Sequence, residues 1–146
     1  MNFTITQLPA FNIAGLTIRT ANAGGRAMKE IGALWQQFMA QGVLQTIPNR
    51  QNDDIYCMYT EYEKDANALY TAILGCRVAT LNGLPAGISG KAVAENTYRL
   101  YASATQDNVI TTWVHIWQTE IDRAYAADFD VYKQDGTVET YLSVHS

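Results

Sequence analysis

The residues best suited to chemistry in this chain are carboxylates set beside aromatic rings. In the closing stretch TVETYLSVHS the alternation is strict: Val138, Thr140, Leu142 and Val144 share one parity, Glu139, Tyr141 and Ser143 the other. A carboxylate two residues from a phenol on one strand face can accept its hydrogen bond, hold a proton or face a cation. The stretch DFDVY repeats the theme, with Asp130 and Tyr132 on the parity opposite to Phe129 and Val131. Taken alone, a glutamate on a strand is a solvated surface residue; the neighbouring rings make a pocket the sharper reading. Conventional catalytic patterns are missing. His115 and His145 are the only histidines and have no metal-ligand spacing. No glycine-rich phosphate loop and no nucleophile elbow occur. Cys57 and Cys76 are too few for a disulfide scaffold and read as core thiols. No catalytic residue, metal or cofactor is therefore expected.

The elements that must position these groups follow from periodicity. FTITQLPAFNIAGLTIRT alternates and is interrupted by Pro9, which predicts one strand with a break or bulge near an edge. From Arg26 to about Gln41 the apolar residues Met28, Ile31, Leu34, Trp35, Phe38 and Met39 have helical spacing. IYCMYTEY and LYTAILGCRVA predict a hairpin turning near Ala66, and TLNGLPAGISG a crossover loop. The order then recurs. KAVAENTYRLYA reads as a strand. A second helix spans about Thr105 to Ile121, with Ile110, Trp113, Val114, Trp117 and Ile121 on its stripe and Ser103 or Thr105 as cap. ADFDVYK and TVETYLSV close a second hairpin at Asp135-Gly136.

The fold class is thus α+β. It is a duplicated βαββ motif with pseudo-two-fold symmetry, antiparallel sheet, one helix per half and a central groove. The whole of 1–146 is one domain, with repeats at about 1–80 and 91–146 and a crossover at about 81–90. ALWQQF echoes TTWVHIW, and DIYCMY echoes DFDVY. By parity, Phe129, Val131, Val138, Leu142 and Val144 face the helices, as do Ile55, Cys57 and Tyr59. Asp130, Tyr132, Glu139, Tyr141, Tyr56 and Met58 face the groove, and Tyr70 joins them from the next strand. Trp117 is the helix residue taken to reach the groove wall, while Trp35 and Trp113 serve the core.

Composition narrows the partners. Charged residues are 16% of the chain, below the roughly 25% usual in globular proteins, while nine Tyr, three Trp and four Phe supply rings beyond the needs of a small core. Net charge is −4 and no Lys/Arg cluster exists, which argues against direct nucleic-acid binding and against anionic membrane surfaces. The N-terminal MNFTITQLPA has neither a basic n-region nor an apolar run, so a cytoplasmic location is expected.

Together these stretches resemble the GyrI-like, or effector-binding, domain of bacterial AraC- and MerR-type multidrug regulators. ALWQQF resembles its first helix, DDIYCMYTEYEKD and LYTAILGCRV its Tyr-rich hairpin ending in Gly-x-x-Val, and TTWVHIWQTEID its Trp-bearing second helix. DFDVY stands for the family's Asp-Phe-Glu-x-Tyr, with Asp130 a methylene shorter than the usual Glu. VETYLSV stands for Val-Glu-Ile-Tyr-Ile-Pro-Val, with Ser143 in place of Pro. The resemblance implies binding of bulky, cationic, lipophilic molecules, with Glu139, Tyr141 and Asp130 carried over by position; parity adds Tyr56, Met58 and Tyr70 and the helix stripe Trp117, so a stand-alone small-molecule-binding module is expected. Two alternatives stay open. One is a hydrolase with Glu139 as base and Tyr141 as proton donor. The other is a gyrase-type protein inhibitor, which would add a protein partner; a homodimer is also left open.

Overall fold

The computed structural model describes residues 1–65 and 67–145, with the backbone but not the side chain of Ser103. The turn near Ala66 and a cap from Ser103 lie outside the described residues. The chain runs β1 (Thr4–Leu8), β2 (Phe11–Thr20), α1 (Arg26–Ala40), α2 (Val43–Thr46), β3 (Ile55–Thr60), β4 (Tyr70–Val78), β5 (Ser89–Val93), β6 (Asn96–Thr105), α3 (Val109–Gln118), β7 (Ala127–Tyr132) and β8 (Thr137–Val144). All eight strands form one antiparallel sheet in the order β1-β6-β8-β7-β3-β4-β2-β5. The duplicated α+β architecture matches expectation. Among the described residues, no helix is long and apolar enough to cross a membrane.

Four boundaries differ from the reading of the sequence. Pro9 does more than interrupt a strand: it separates β1, which pairs with β6 of the second half, from β2, which pairs with β4 of the first. Ala94 and Glu95 likewise part β5, which pairs with β2, from β6. Each half therefore lends its first strand to the far edge of the other. The second helix starts at Val109, not Thr105, because Asn108 occupies the cap and its Oδ1 accepts the Thr105 amide at 2.6 Å. The helix also ends at Gln118 rather than Ile121.

At the seam β3 pairs with β7, and Cys57 lies directly opposite Asp130. These are equivalent positions in the two repeats, so the pseudo-dyad passes between a thiol and a carboxylate.

Both faces of the central strands are buried, for different reasons. On one face lie the helices: Leu34 and Phe38 of α1 cover Leu16, Cys57 and Leu74, while Trp113 and Ile116 of α3 cover Tyr101, Leu142 and Val144. The other face is concave and closes on itself. Phe11 of β2 and Phe129 of β7 have ring centroids 5.5 Å apart although two strands separate theirs in the sheet. A flat sheet would hold them about 14 Å apart. Phe129 is the hub of this face, stacked on Tyr141 at 4.7 Å and Tyr56 at 5.7 Å and edge-on to Tyr98 at 5.4 Å. Gly15 of β2 faces Gly75 of β4. A Cβ on Gly75 would lie 1.8 Å from the Ala14 carbonyl oxygen, so only glycine permits this backbone approach.

This concavity corrects the face assignment. Phe129 and Val131 belong to the concave cluster, with Tyr56, Met58 and Tyr141, and do not face the helices. Asp130 and Tyr132 turn toward the helices instead: Asp130 bonds to Trp113 of α3, and Tyr132 meets Trp35 of α1 at 4.8 Å. Tyr70 also lies on the helix side, with Ala72 and Leu74. Val138, Leu142 and Val144, like Ile55, Cys57 and Tyr59, keep the parity expected of them.

Candidate ligand cavity between the helices

Parts of both apolar helix stripes stay exposed. Met28 and Met39 of α1 are exposed, as are Ile110, Val114 and Trp117 of α3. The two helices stand apart over the seam, and a cavity of about 720 Å³ opens between them. Met28 and Ile31 line one wall, and Ile110, Trp113 and Trp117 the other. Tyr59, Tyr62 and Tyr70 rise from the β3–β4 hairpin, and Arg123 and Tyr125 from the segment after α3. That volume suits a drug-sized molecule. Tyr125 adopts φ +52, a left-handed conformation unusual for a bulky residue, and its ring meets Tyr62 at 5.5 Å. Tyr70 donates its hydroxyl hydrogen bond to Asn22 Oδ1 at 2.6 Å.

One layer beneath the lining lie two fully buried carboxylates. Asp130 accepts hydrogen bonds from Trp113 Nε1 at 3.1 and 3.0 Å, Thr140 Oγ1 at 2.6 Å and Tyr59 OH at 3.3 Å. All four bonds come from neutral groups, and among the described residues no basic side chain pairs with it. Burial pushes its carboxyl up to about 6; the Thr140, Trp113 and Tyr59 hydrogen bonds oppose the rise, and the Asp128 charge adds to it. Asp128 is served differently. Arg123 Nη2 pairs with it at 2.9 Å, Tyr62 donates a hydroxyl, and Ser143 donates both its amide at 2.7 Å and its hydroxyl at 2.6 Å.

Tyr59, Tyr62 and Tyr70 are held protonated. Burial, then the neighbouring Cys57 and Asp130, hold Tyr59 well above the ordinary phenol value, and burial with Asp128 does so for Tyr62. Burial pushes Tyr70 up to about 12 and the Cys57 thiol, opposite Asp130 on the seam, also up to about 12. Cys57 and Cys76 are both free and buried.

Of the residues singled out in the sequence, Tyr70 and Trp117 line this cavity and Asp130 lies under its floor. Glu139, Tyr141, Tyr56 and Met58 are elsewhere, on or beside the concave face. There Glu139 pairs with Lys133 at 3.3 Å and accepts the Tyr141 hydroxyl at 3.2 Å, with 19% of its side chain exposed. A Glu139–Tyr141 acid–base pair therefore has the thickness of the sheet between it and the cavity. Sequence reasoning did not select Tyr59, Tyr62, Trp113, Asp128 or Arg123. Asp128 had a signal, since it shares Asp130's parity in DFD; Arg123 had a fainter one, as the sole Lys or Arg between Arg99 and Lys133.

Comparison with known proteins gives a consistent picture. Residues 4–144 match the family model Cass2, described as integron-associated effector binding protein. YobU of Bacillus subtilis (strain 168), which carries the name of a transcriptional regulator protein, is 28% identical over 148 residues, covering 97% of this chain and 92% of the relative. An integron cassette protein from the mobile metagenome of Vibrio cholerae superposes with a TM-score of 0.77 at 26% identity, over 98% of this chain and 95% of that one. SAV2435, solved bound to tetraphenylphosphonium, superposes with a TM-score of 0.76 at 16% identity, over 100% of this chain and 95% of that one. The EcmrR C-terminal domain shares the fold at a TM-score of 0.59 and 11% identity, over 99% of this chain and 98% of that one.

Proposed function

The chain belongs to the Cass2 family of integron-associated effector binding proteins, and on that footing we propose that the inter-helix cavity binds bulky, lipophilic cations whose charge is delocalised. The observation that carries this reading is Asp130. A buried carboxylate with no cationic partner is costly in an empty protein, and here it lies directly behind the Trp113 and Tyr59 rings that line the cavity. Donating hydrogen bonds to an anion enriches those ring faces, and each good ring–cation contact contributes about 0.5–2 kcal/mol. The carboxylate acts through the rings. At roughly 6 Å and an effective dielectric near 20, its attraction for a bound cation is about 3 kcal/mol. A hard ammonium would lose hydration and reach no oxygen; a delocalised cation loses little. The ligand named with SAV2435, tetraphenylphosphonium, is of this type and belongs to a protein of the same fold. The exposed Met28, Ile110 and Trp117 supply adaptable apolar walls.

The test is a tetraphenylphosphonium titration followed by tryptophan fluorescence. Saturable quenching at one molecule per chain is expected, and it should shrink in Trp117→Phe, because Trp113 and Trp117 line the cavity while Trp35 packs against Phe38 and Tyr132. A signal that never saturates up to the solubility of the ligand would overturn the reading.

A further inference from the structure

One group in the cavity wall has no place in the recognition of a cation. Arg123 lines the cavity with only 8% of its side chain exposed. Its guanidinium lies over the Tyr125 ring, 4.4 Å from the centroid. Nη2 is spent on Asp128, whereas Nε is buried without a hydrogen-bond partner. A guanidinium offers five N–H donors in a planar fork; Nε has no accessible surface, so what is left for a guest is the Nη1 edge. Asp128 does not depend on Arg123 alone, because the Tyr62 hydroxyl and the Ser143 amide and hydroxyl also bond that carboxylate. A plain lipophilic cation would leave the remaining donors of Arg123 unsatisfied.

We propose that Arg123 forms an acceptor subsite of the cavity, taking a carboxylate carried by the ligand. The inference rests on the cavity being the ligand site and narrows its ligand class to flat aromatic zwitterions. The delocalised cation lies against Trp113 and Tyr59, above Asp130, and the carboxylate reaches Arg123. Asp128 and Asp130 are two residues apart on one face of β7, which sets the separation of the two poles at roughly 7 Å. A planar carboxylate matches the guanidinium fork, and the hydrogen bonds it receives are charge-assisted. Tyr125, held in its left-handed conformation, fixes the guanidinium from one side. The exposed Glu120 also borders the cavity, but its charge is in water and does not compete for the buried fork.

The experiment compares a carboxyphenyl xanthylium (rhodamine) dye with its methyl ester, which has the same cation and lacks the carboxylate. Both are titrated at pH 7.5 by fluorescence anisotropy, with tetraphenylphosphonium as competitor. The free acid should bind the wild type at least about five-fold tighter than the ester, or about 1 kcal/mol at 1.4 kcal/mol per tenfold. Arg123→Lys keeps a charge for Asp128 but loses the fork, and should bring the ratio to about one while the ester's affinity stays within about two-fold. An ester bound as tightly as the acid by the wild type overturns the inference, and that comparison needs no variant to fold. So does a preference that persists in a folded Arg123→Lys. If tetraphenylphosphonium and the ester bind and the acid gains nothing, only the subsite falls. If none of the three binds, the cation reading of the cavity falls with it.

Discussion

Replacing Asp130 with asparagine is expected to weaken tetraphenylphosphonium binding by about 30–100-fold, the equivalent of the 2–3 kcal/mol of attraction lost across the ring layer. Asparagine keeps an acceptor for Trp113 and Thr140 and nearly the same volume, so the walls should stay as they are. The pH dependence separates this account from a merely structural role. With its carboxyl held near 6, Asp130 ionises between pH 5 and 7, and affinity should rise over that range and level off above it. Stability of the empty protein should change in the opposite direction. The folded-state value lies above the unfolded one, near 3.9, so the native state retains a proton that the unfolded chain has released. Stability due to this group is fully present below about pH 4 and is lost as pH rises through about 6, by about 3 kcal/mol for a two-unit shift. Asp130→Asn should remove that fall in stability and flatten the rise in affinity. Isothermal titration and urea denaturation at pH 4.5, 6 and 7.5 measure both. An affinity that does not change with pH in the wild type, or is unaltered by the substitution, would remove Asp130 from ligand recognition.

A second large effect is expected far from the cavity. Gly75→Ala would set a methyl group 1.8 Å from the Ala14 carbonyl oxygen and 2.6 Å from the Gly15 Cα. Both are backbone atoms of β2, held in register by the β2–β4 ladder, and neither can rotate out of the way as a side chain would. Relief requires the two strands to part, and that would pull Phe11 away from Phe129. The loss should be at least about 4 kcal/mol, in the range reserved for breaches of backbone or core geometry, out of a total of roughly 5–15 kcal/mol. Gly32→Ala is the control. It lies within α1, a Cβ there would meet nothing within 4 Å, and a stabilisation of roughly 0.5–1 kcal/mol is expected. Urea midpoints of the two variants decide the matter. A Gly75→Ala protein within about 1 kcal/mol of wild type would mean that the close approach is not obligatory.

The elements and their order could be read from the sequence because each carries a strong local period or break: the stripe of α1, the Asp-Gly turn, the Gly/Pro-rich crossover. Parity was legible too. Asp130 was correctly grouped with Tyr132, and Glu139 with Tyr141. What alternation could not supply was which parity meets a helix. In a sheet with one wet face the polar parity points outward, but β7 is buried on both sides, in a packed concavity and under α3. There Asp130 reads as an outward residue although it is fully buried, because its satisfaction comes from Trp113 and Thr140, distant in sequence. The exchange of β1 and β5 was hidden for a related reason: Pro9 and Ala94–Glu95 mark breaks, and a break does not say where the next strand will pair. Arg123 follows no period at all, and its meaning emerges only once Asp128 is found beneath it.

The opposition of Cys57 and Asp130 on the pseudo-dyad has a further consequence. Duplication of a half would first yield a floor with identical groups on either side of the axis, on which a guest could settle in two equivalent poses. Here a thiol that burial keeps neutral mirrors a carboxylate that can ionise, so the field beneath the guest is lopsided. On the proposed reading, even a molecule as isotropic as tetraphenylphosphonium would be drawn off-centre, toward the second repeat, and a less regular guest would be left with one favoured way round.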